Sequence, residues 1–257
     1  QIYCLLMGKT FVFVNQKGGV GKTTSAINIG AYMALEGKKT LLVDFDSQGN
    51  MTSGVGVDRE KPTVYDLLAG TAPIGSVIRQ SVIPNLLVIP ASIDLSGAAI
   101  ELVDQDKREF FLKDALEPVK NDYDYILIDC PPSLGILTLN GLTAADAVLI
   151  PLQCEYFALE GLTLLLQTVK RVQKSLNPQL EIGGIFFTMY DSRTRLAQDV
   201  VQQVTSYFKD RVFRTIIPRN VRLSEAPSHG LPICKYDALC VGARSYEKLA
   251  REVIERG

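Results

Sequence analysis

Lys17-Gly18-Gly19-Val20-Gly21-Lys22-Thr23-Thr24 follows an apolar run, Phe11-Val12-Phe13-Val14, and leads into Ser25-Ala26-Ile27-Asn28-Ile29-Gly30-Ala31-Tyr32-Met33-Ala34-Leu35. The flanks decide what the glycines are for. A strand, a glycine-rich turn and a helix start form the setting in which backbone N–H groups wrap around phosphate. The helix N-terminus adds partial positive charge at the same place. There the Lys22 ammonium would reach β- and γ-phosphates and the Thr23 hydroxyl would ligate Mg2+, with Gly18, Gly19, Val20, Gly21 and Thr24 completing the cradle. A glycine turn before an ordinary helix is the competing reading, and it gives Gly21-Lys22-Thr23 no purpose. The expectation is a nucleoside triphosphate site.

Further apolar runs follow at intervals: Thr40–Asp46, Leu86–Pro90, Tyr125–Asp129, Ala147–Leu152, Ile182–Thr188 and Val212–Ile217. Between and after them lie helical spacings, at Lys107–Lys120, Ala158–Ser175 and Gly242–Arg256. Strands alternating with helices predict an α/β fold, a doubly wound and mostly parallel sheet. Right-handed crossovers then place helices on both faces. Residues 51 to 106 break the rhythm with Gly, Asp and Pro between short apolar patches, and read as a helical insertion on the top or edge of the sheet. No linker, repeat or low-complexity tract interrupts the chain, so one domain is expected over residues 1–257. Residues 1–6 read as a non-native or upstream extension, because Met7-Gly8-Lys9-Thr10 leads straight into the first strand.

The chain has 257 residues, 47% hydrophobic and 21% charged, enough for one substantial core. Its net charge is −1 and its pI about 6.0, so any contact with nucleic acid must come from a local patch or an assembled dimer. The five cysteines (Cys4, Cys130, Cys154, Cys234, Cys240) contain no C-x-x-C pair, which speaks against a disulfide framework, a zinc site or an iron–sulfur cluster. The single histidine, His229, sits in a Pro/Ser/Gly loop, so histidine chemistry is not expected. No apolar run spans a bilayer and the start lacks a signal peptide's cationic region. A cytoplasmic protein without stable membrane association is the expectation.

Acidic residues stand where two parallel strands end, the side on which open α/β sheets bind ligands. Tyr125-Ile126-Leu127-Ile128-Asp129 is an apolar strand closing on a carboxylate, whose burial is costly unless Mg2+ and its waters compensate. Asp129 is therefore a metal-site candidate, with a buried cap as the alternative. Asp44 and Asp46 close the Thr40 strand before Ser47-Gln48-Gly49-Asn50, and Asp46 reads either as a site residue or as a plain strand-end cap.

The ordinary P-loop has glycine where this chain has Gln16, and it lacks the lysine found here at position 17. Lys-Gly-Gly-Val-Gly-Lys-Thr is the deviant Walker A signature, and with it the chain resembles the ParA/Soj chromosome- and plasmid-partitioning ATPases, with MinD as the nearest cousin. The resemblance runs from Gly8 to the end. It implies ATP and Mg2+ as ligands and a homodimer that sandwiches two nucleotides, with Lys17 entering the partner's site as an arginine finger would. It places Asp46 in a first switch that orients the attacking water, Asp44 as a support of the P-loop, and Pro131-Pro132-Ser133-Leu134-Gly135 in a second switch.

By the same resemblance Pro218 packs on adenine and Asn220 reads its edge through donor and acceptor together, although a turn residue after a strand is the plain alternative. Between Asp191 and Arg222 seven basic residues face three acids, so this segment carries +4 in a chain of net −1. Arg193 and Arg222 match the arginines with which the family's ATP dimer binds DNA nonspecifically; salt-bridged surface is the alternative. A ParB-like centromere-binding partner would stimulate slow hydrolysis, and the protein would be nucleoid-associated. A MinD-like membrane regulator is the alternative function, disfavoured by the missing amphipathic tail after Gly257. A small-molecule ligase or synthetase and a non-hydrolysing scaffold complete the alternatives.

Overall fold

The computed structural model describes residues 8–256. The expected extension at residues 1–6, with Cys4, lies outside them.

Seven strands form one sheet: β1 (Lys9–Phe13), β2 (Thr40–Asp44), β3 (Arg79–Gln80), β4 (Leu86–Ile89), β5 (Tyr125–Asp129), β6 (Ala147–Gln153) and β7 (Glu181–Thr188). Their order is β3-β4-β2-β5-β1-β6-β7, and only the β3–β4 pair is antiparallel. Val, Ile and Leu fill consecutive positions of the central strands because both faces are covered, as parallel sheets require. Alternate residues therefore serve separate cores. Val12, Leu41, Val43, Ile126, Ile128 and Val148 pack beneath the helices Phe111–Leu116, Ile136–Ala144, Ala158–Ser175 and Arg195–Phe208. Phe11, Phe13, Leu42, Leu127 and Leu149 pack on the other side against α1 (Lys22–Leu35) and the helix Val241–Arg256. The doubly wound expectation holds.

Register places the chemistry. Phe13 pairs with Asp129 and Asp44 pairs with Asp129, so β1, β5 and β2 end level. The loop leaving β1 emerges beside both carboxylates, at the carboxyl edge of the sheet.

Two segments depart from expectation. The stretch 51–106 is more than a helical insertion: besides the strand expected at Leu86–Pro90, which is β4, it supplies the edge strand β3 and the short helices Val64–Leu68, Ile74–Val77 and Leu95–Glu101. Its capping box at Thr63 and Asp66 gives one of those helices a defined start. The run Val212–Ile217 forms no strand and makes one isolated bridge to β7, Val212 with Ile185. Phe213 N donates to Ile185 O at 2.8 Å and Ile217 N to Phe187 O at 2.9 Å. Four residues thus advance while β7 advances two, so the segment bulges and no ladder forms. It can approach at all because residue 184 is glycine: a Cβ there would sit 2.3 Å from the Phe213 ring.

A candidate nucleotide site

The loop has the backbone its glycines permit. Gly19 and Gly21 take φ of 74° and 83°, a region that side-chain-bearing residues rarely adopt, and Gly21 hands the chain to α1. Its shape is held from outside by Thr188 Oγ1, which donates to Val20 O at 2.8 Å, and by Asn15 Nδ2, which donates to Pro151 O at 2.8 Å. Pro132 lies against it, since a Cβ on Gly18 would meet its ring at 3.9 Å. Asn15 was not singled out by the sequence, and could have been, as a polar residue between an apolar strand and the loop; Thr188 was expected only as the end of a strand beside the adenine pocket, not as a brace of the loop.

Lys22 is only 6% exposed, and its Nζ stands 3.5 Å from Lys17 O. Burial pushes its pKa down, and the negative field of Asp129, Cys130 and Asp46 works against that push. A buried ammonium without a full set of acceptors is poised for an anionic ligand. Thr23 Oγ1 donates to Asp129 Oδ2 at 2.6 Å. Asp129 is 1% exposed, and its second oxygen, Oδ1, is buried with no partner. Burial, then the charge of Asp44, raises the Asp129 pKa to about 8. A hydroxyl and an orphaned carboxylate oxygen side by side are the donor set a hydrated Mg2+ uses. Among the described residues no group of three His, Cys, Asp or Glu side chains could hold a metal. The cation must therefore arrive with phosphate oxygens, and Thr23 and Asp129 fit that role.

Asp44 corrects an expectation. Its hydrogen bonds go not to the P-loop but to Thr52 and Asp46, accepting from Thr52 N at 2.8 Å, Thr52 Oγ1 at 2.6 Å and Asp46 N at 3.4 Å. Thr52 Oγ1 in turn accepts from Ala91 N at 3.0 Å, so Asp44 ties the helix Asn50–Gly54 to the end of β4. Burial is the largest cause of its pKa rising to about 6. Asp46, half-buried, accepts from Gln48 N at 3.0 Å, a local turn that leaves its other oxygen for the site.

Beside Gly21 and Thr24 lies a cavity of about 230 Å3, lined further by Met189, Pro218, Asn220 and Tyr246. Its position and size suit a nucleoside. Asn220 is more constrained than expected, however. Its Oδ1 accepts from Arg222 N at 3.0 Å and caps the helix Val221–Glu225, so one of that oxygen's two acceptor sites is taken, while the amide N–H2 and the second acceptor site have no partner among the described residues.

Lys17 stands apart from Lys22. Its ammonium is paired with Glu155, beyond β6, and its side chain is 51% exposed. Arg193 and Arg222 are exposed too, and both are paired. Arg193 grips Asp191 with two bonds, Nε–Oδ1 at 2.8 Å and Nη2–Oδ2 at 2.7 Å, which holds the Asp191 carboxyl well below the usual range. Arg222 reaches Glu225 at 2.9 Å and Asp237 at 3.5 Å. The two arginines follow closely on the segments that line the nucleoside cavity, Met189 and Pro218–Asn220.

Residues 8–182 match the family described as an AAA domain. The chain is 75% identical to the chromosome-partitioning ATPase Soj of Treponema pallidum over 97% of its own length and 98% of that protein's. It is 56% identical to the sporulation initiation inhibitor protein Soj of Bacillus subtilis, over 98% and 100%. The chain belongs to the ParA/Soj family of partitioning ATPases. ATP and Mg2+ are the ligands of this site. Among solved structures, cobyrinic acid a,c-diamide synthase from Mycobacterium smegmatis with bound ADP and magnesium superimposes with a TM-score of 0.84 at 38% identity. That match covers 97% of this chain and 95% of the other. MinD from Pyrococcus horikoshii with Mg-ADP follows at 0.79 and 28%, covering 96% of each chain. Among the described residues no helix is long and apolar enough to cross a membrane.

Proposed function

We propose that this ParA/Soj-family chain moves DNA cargo by an ATP-timed cycle of self-assembly. Two ATP-bound chains form a sandwich dimer, the dimer binds duplex DNA nonspecifically through Arg193 and Arg222, and a ParB-like partner accelerates hydrolysis and release. The protein works in the cytoplasm, on the nucleoid. In each site Lys22 and the loop N–H groups hold the phosphates, Thr23 and Asp129 hold Mg2+, Asp46 orients water, and the partner's Lys17 neutralises charge on the transferring group. ATP favours the dimer because each nucleotide touches both chains, and hydrolysis removes that differential contact.

The observation that carries this reading is the placement of Lys17. It lies on the phosphate loop, yet its side chain is exposed and points to Glu155 rather than into the cradle that holds Lys22. A lysine so placed serves its own nucleotide poorly and a facing chain's well. The test is self-association and ATP turnover measured against chain concentration. The parent should assemble with ATP·Mg2+ and not with ADP, and its specific activity should rise with concentration. Lys17→Ala should lose both behaviours while still binding ATP; parent-like assembly and turnover by Lys17→Ala would overturn the reading. Likeness to a protein named as a diamide synthase favours a second reading, a small-molecule amidation or ligation enzyme. Turnover independent of chain concentration would point there.

A further inference from the structure

Lys17 and Glu155 lie 138 positions apart, but both are anchored to the same strand end. Lys17 N donates to Asn15 Oδ1 at 3.0 Å, and Asn15 Nδ2 donates to Pro151 O within β6. Glu155 sits two residues beyond β6 in a turn closed by Glu155 N to Gln153 O at 2.9 Å and Ala158 N to Glu155 O at 3.0 Å. The two backbones are thus fixed relative to one another, and the side chains meet without either loop moving. Lys17 and Glu155 share the wall of a cavity of about 200 Å3 that has no residue in common with the nucleoside cavity. The pair therefore holds the ammonium on the β6 side of the loop, away from the phosphate cradle. Next to it Tyr156 and Phe157 project into solvent, 79% and 71% exposed.

We infer that Glu155 is a positioning residue of the ATPase: it parks Lys17 in the lone chain and releases it when a second copy of this chain covers that surface. The inference rests on the reading in which Lys17 serves the partner's nucleotide. An exposed ion pair is a light restraint, and a light restraint is what a reversible hand-over needs. On assembly the ammonium exchanges one carboxylate for a phosphate group of higher charge. Glu155 is 45% exposed in the lone chain, so it gives up only a weak surface pair in the exchange. A restraint of this kind raises the concentration needed for assembly without touching chemistry inside the finished dimer.

The experiment compares parent, Glu155→Gln, Glu155→Asp, Lys17→Gln and the double variant Glu155→Gln/Lys17→Gln, by sedimentation velocity and ATP turnover across chain concentration. Glu155→Gln should move the ATP-dependent assembly midpoint to roughly two- to five-fold lower concentration, the range expected for an exposed pair. Its turnover at saturating concentration and its KM for ATP should stay at the parent's values. Glu155→Asp should restore most of the parent midpoint, and Glu155→Gln should not bring assembly back to the Lys17→Gln chain. Weaker assembly of Glu155→Gln, or assembly regained by the double variant, would overturn the inference. If Lys17→Gln loses assembly but Glu155→Gln matches the parent, the parking role fails and the function stands. If Lys17→Gln matches the parent, the trans-lysine reading itself fails.

Discussion

Lys22 and Arg222 are both cations placed where phosphate is expected, yet they are built differently. Lys22 is 6% exposed at the start of a helix, held by a loop that Thr188 and Asn15 brace from outside. Arg222 is about half exposed and leans on Glu225 and Asp237, acids supplied by its own helix and a nearby turn. The first arrangement is preorganised: desolvation leaves the ammonium short of acceptors, and a triphosphate with its metal relieves that shortage. The second arrangement is exchangeable, since exposed ion pairs cost little to break and a polyanion can replace the local acids. In the proposed cycle the first region would bind a single ligand tightly, and the second would supply weak contacts that gain strength when doubled in a dimer.

The largest test of this contrast is at Lys22. Lys22→Gln should lower ATP turnover by about 100-fold or more, the scale for losing one preorganised charge donor. Its unfolding midpoint in urea should stay at or above the parent's, because a desolvated cation is removed. A destabilised variant would mean that Lys22 holds the fold rather than the ligand.

The buried carboxylates give a second test, by pH. Asp129 and Asp44 are raised to about 8 and about 6 in the folded chain, from 3.8 when exposed. The folded state therefore keeps protons that the unfolded state releases, and its stability should fall as pH rises from about 4 to about 8. Asp129→Asn should flatten that slope in the nucleotide-free chain, as read from urea midpoints at pH 5 and pH 8. A parent whose stability rises over this range would show that both carboxylates are already compensated.

A third, smaller effect belongs to Thr52. Thr52→Val keeps the shape but removes the hydroxyl between Asp44 and Ala91 N, and should cost about 1–3 kcal/mol through the groups left unpaired. Equal stability would mean that the first switch is not anchored through Asp44.

Most of the fold was legible because it depends on local pattern. The apolar runs of β1, β2, β5 and β6 read as buried parallel strands, and glycine, lysine and threonine at fixed spacing named the phosphate cradle. Asp129 was legible for the same reason: a charge ending an apolar strand needs a partner. What escaped depends on residues far apart in sequence. Nothing near Lys17 announces Glu155, and nothing near Asp44 announces that its bonds run to Thr52 rather than to the loop. Asn220 looked like a reader of bases, and its oxygen turned out to cap a five-residue helix. Val212–Ile217 has a strand's composition, but its pacing against β7 is set by the Phe213–Gly184 contact, which composition does not encode.

The claim that joins the two regions is that ATP at the loop controls DNA at the arginines. Its most direct measurement is binding to long nonspecific duplex DNA with ATP, with ADP and without nucleotide, across a salt series, for the parent, Arg193→Glu and Arg222→Glu. The account predicts binding with ATP alone, a steep loss as salt rises, and a collapse in either charge reversal. Equal binding with ATP and ADP, or reversals that bind as the parent does, would contradict it.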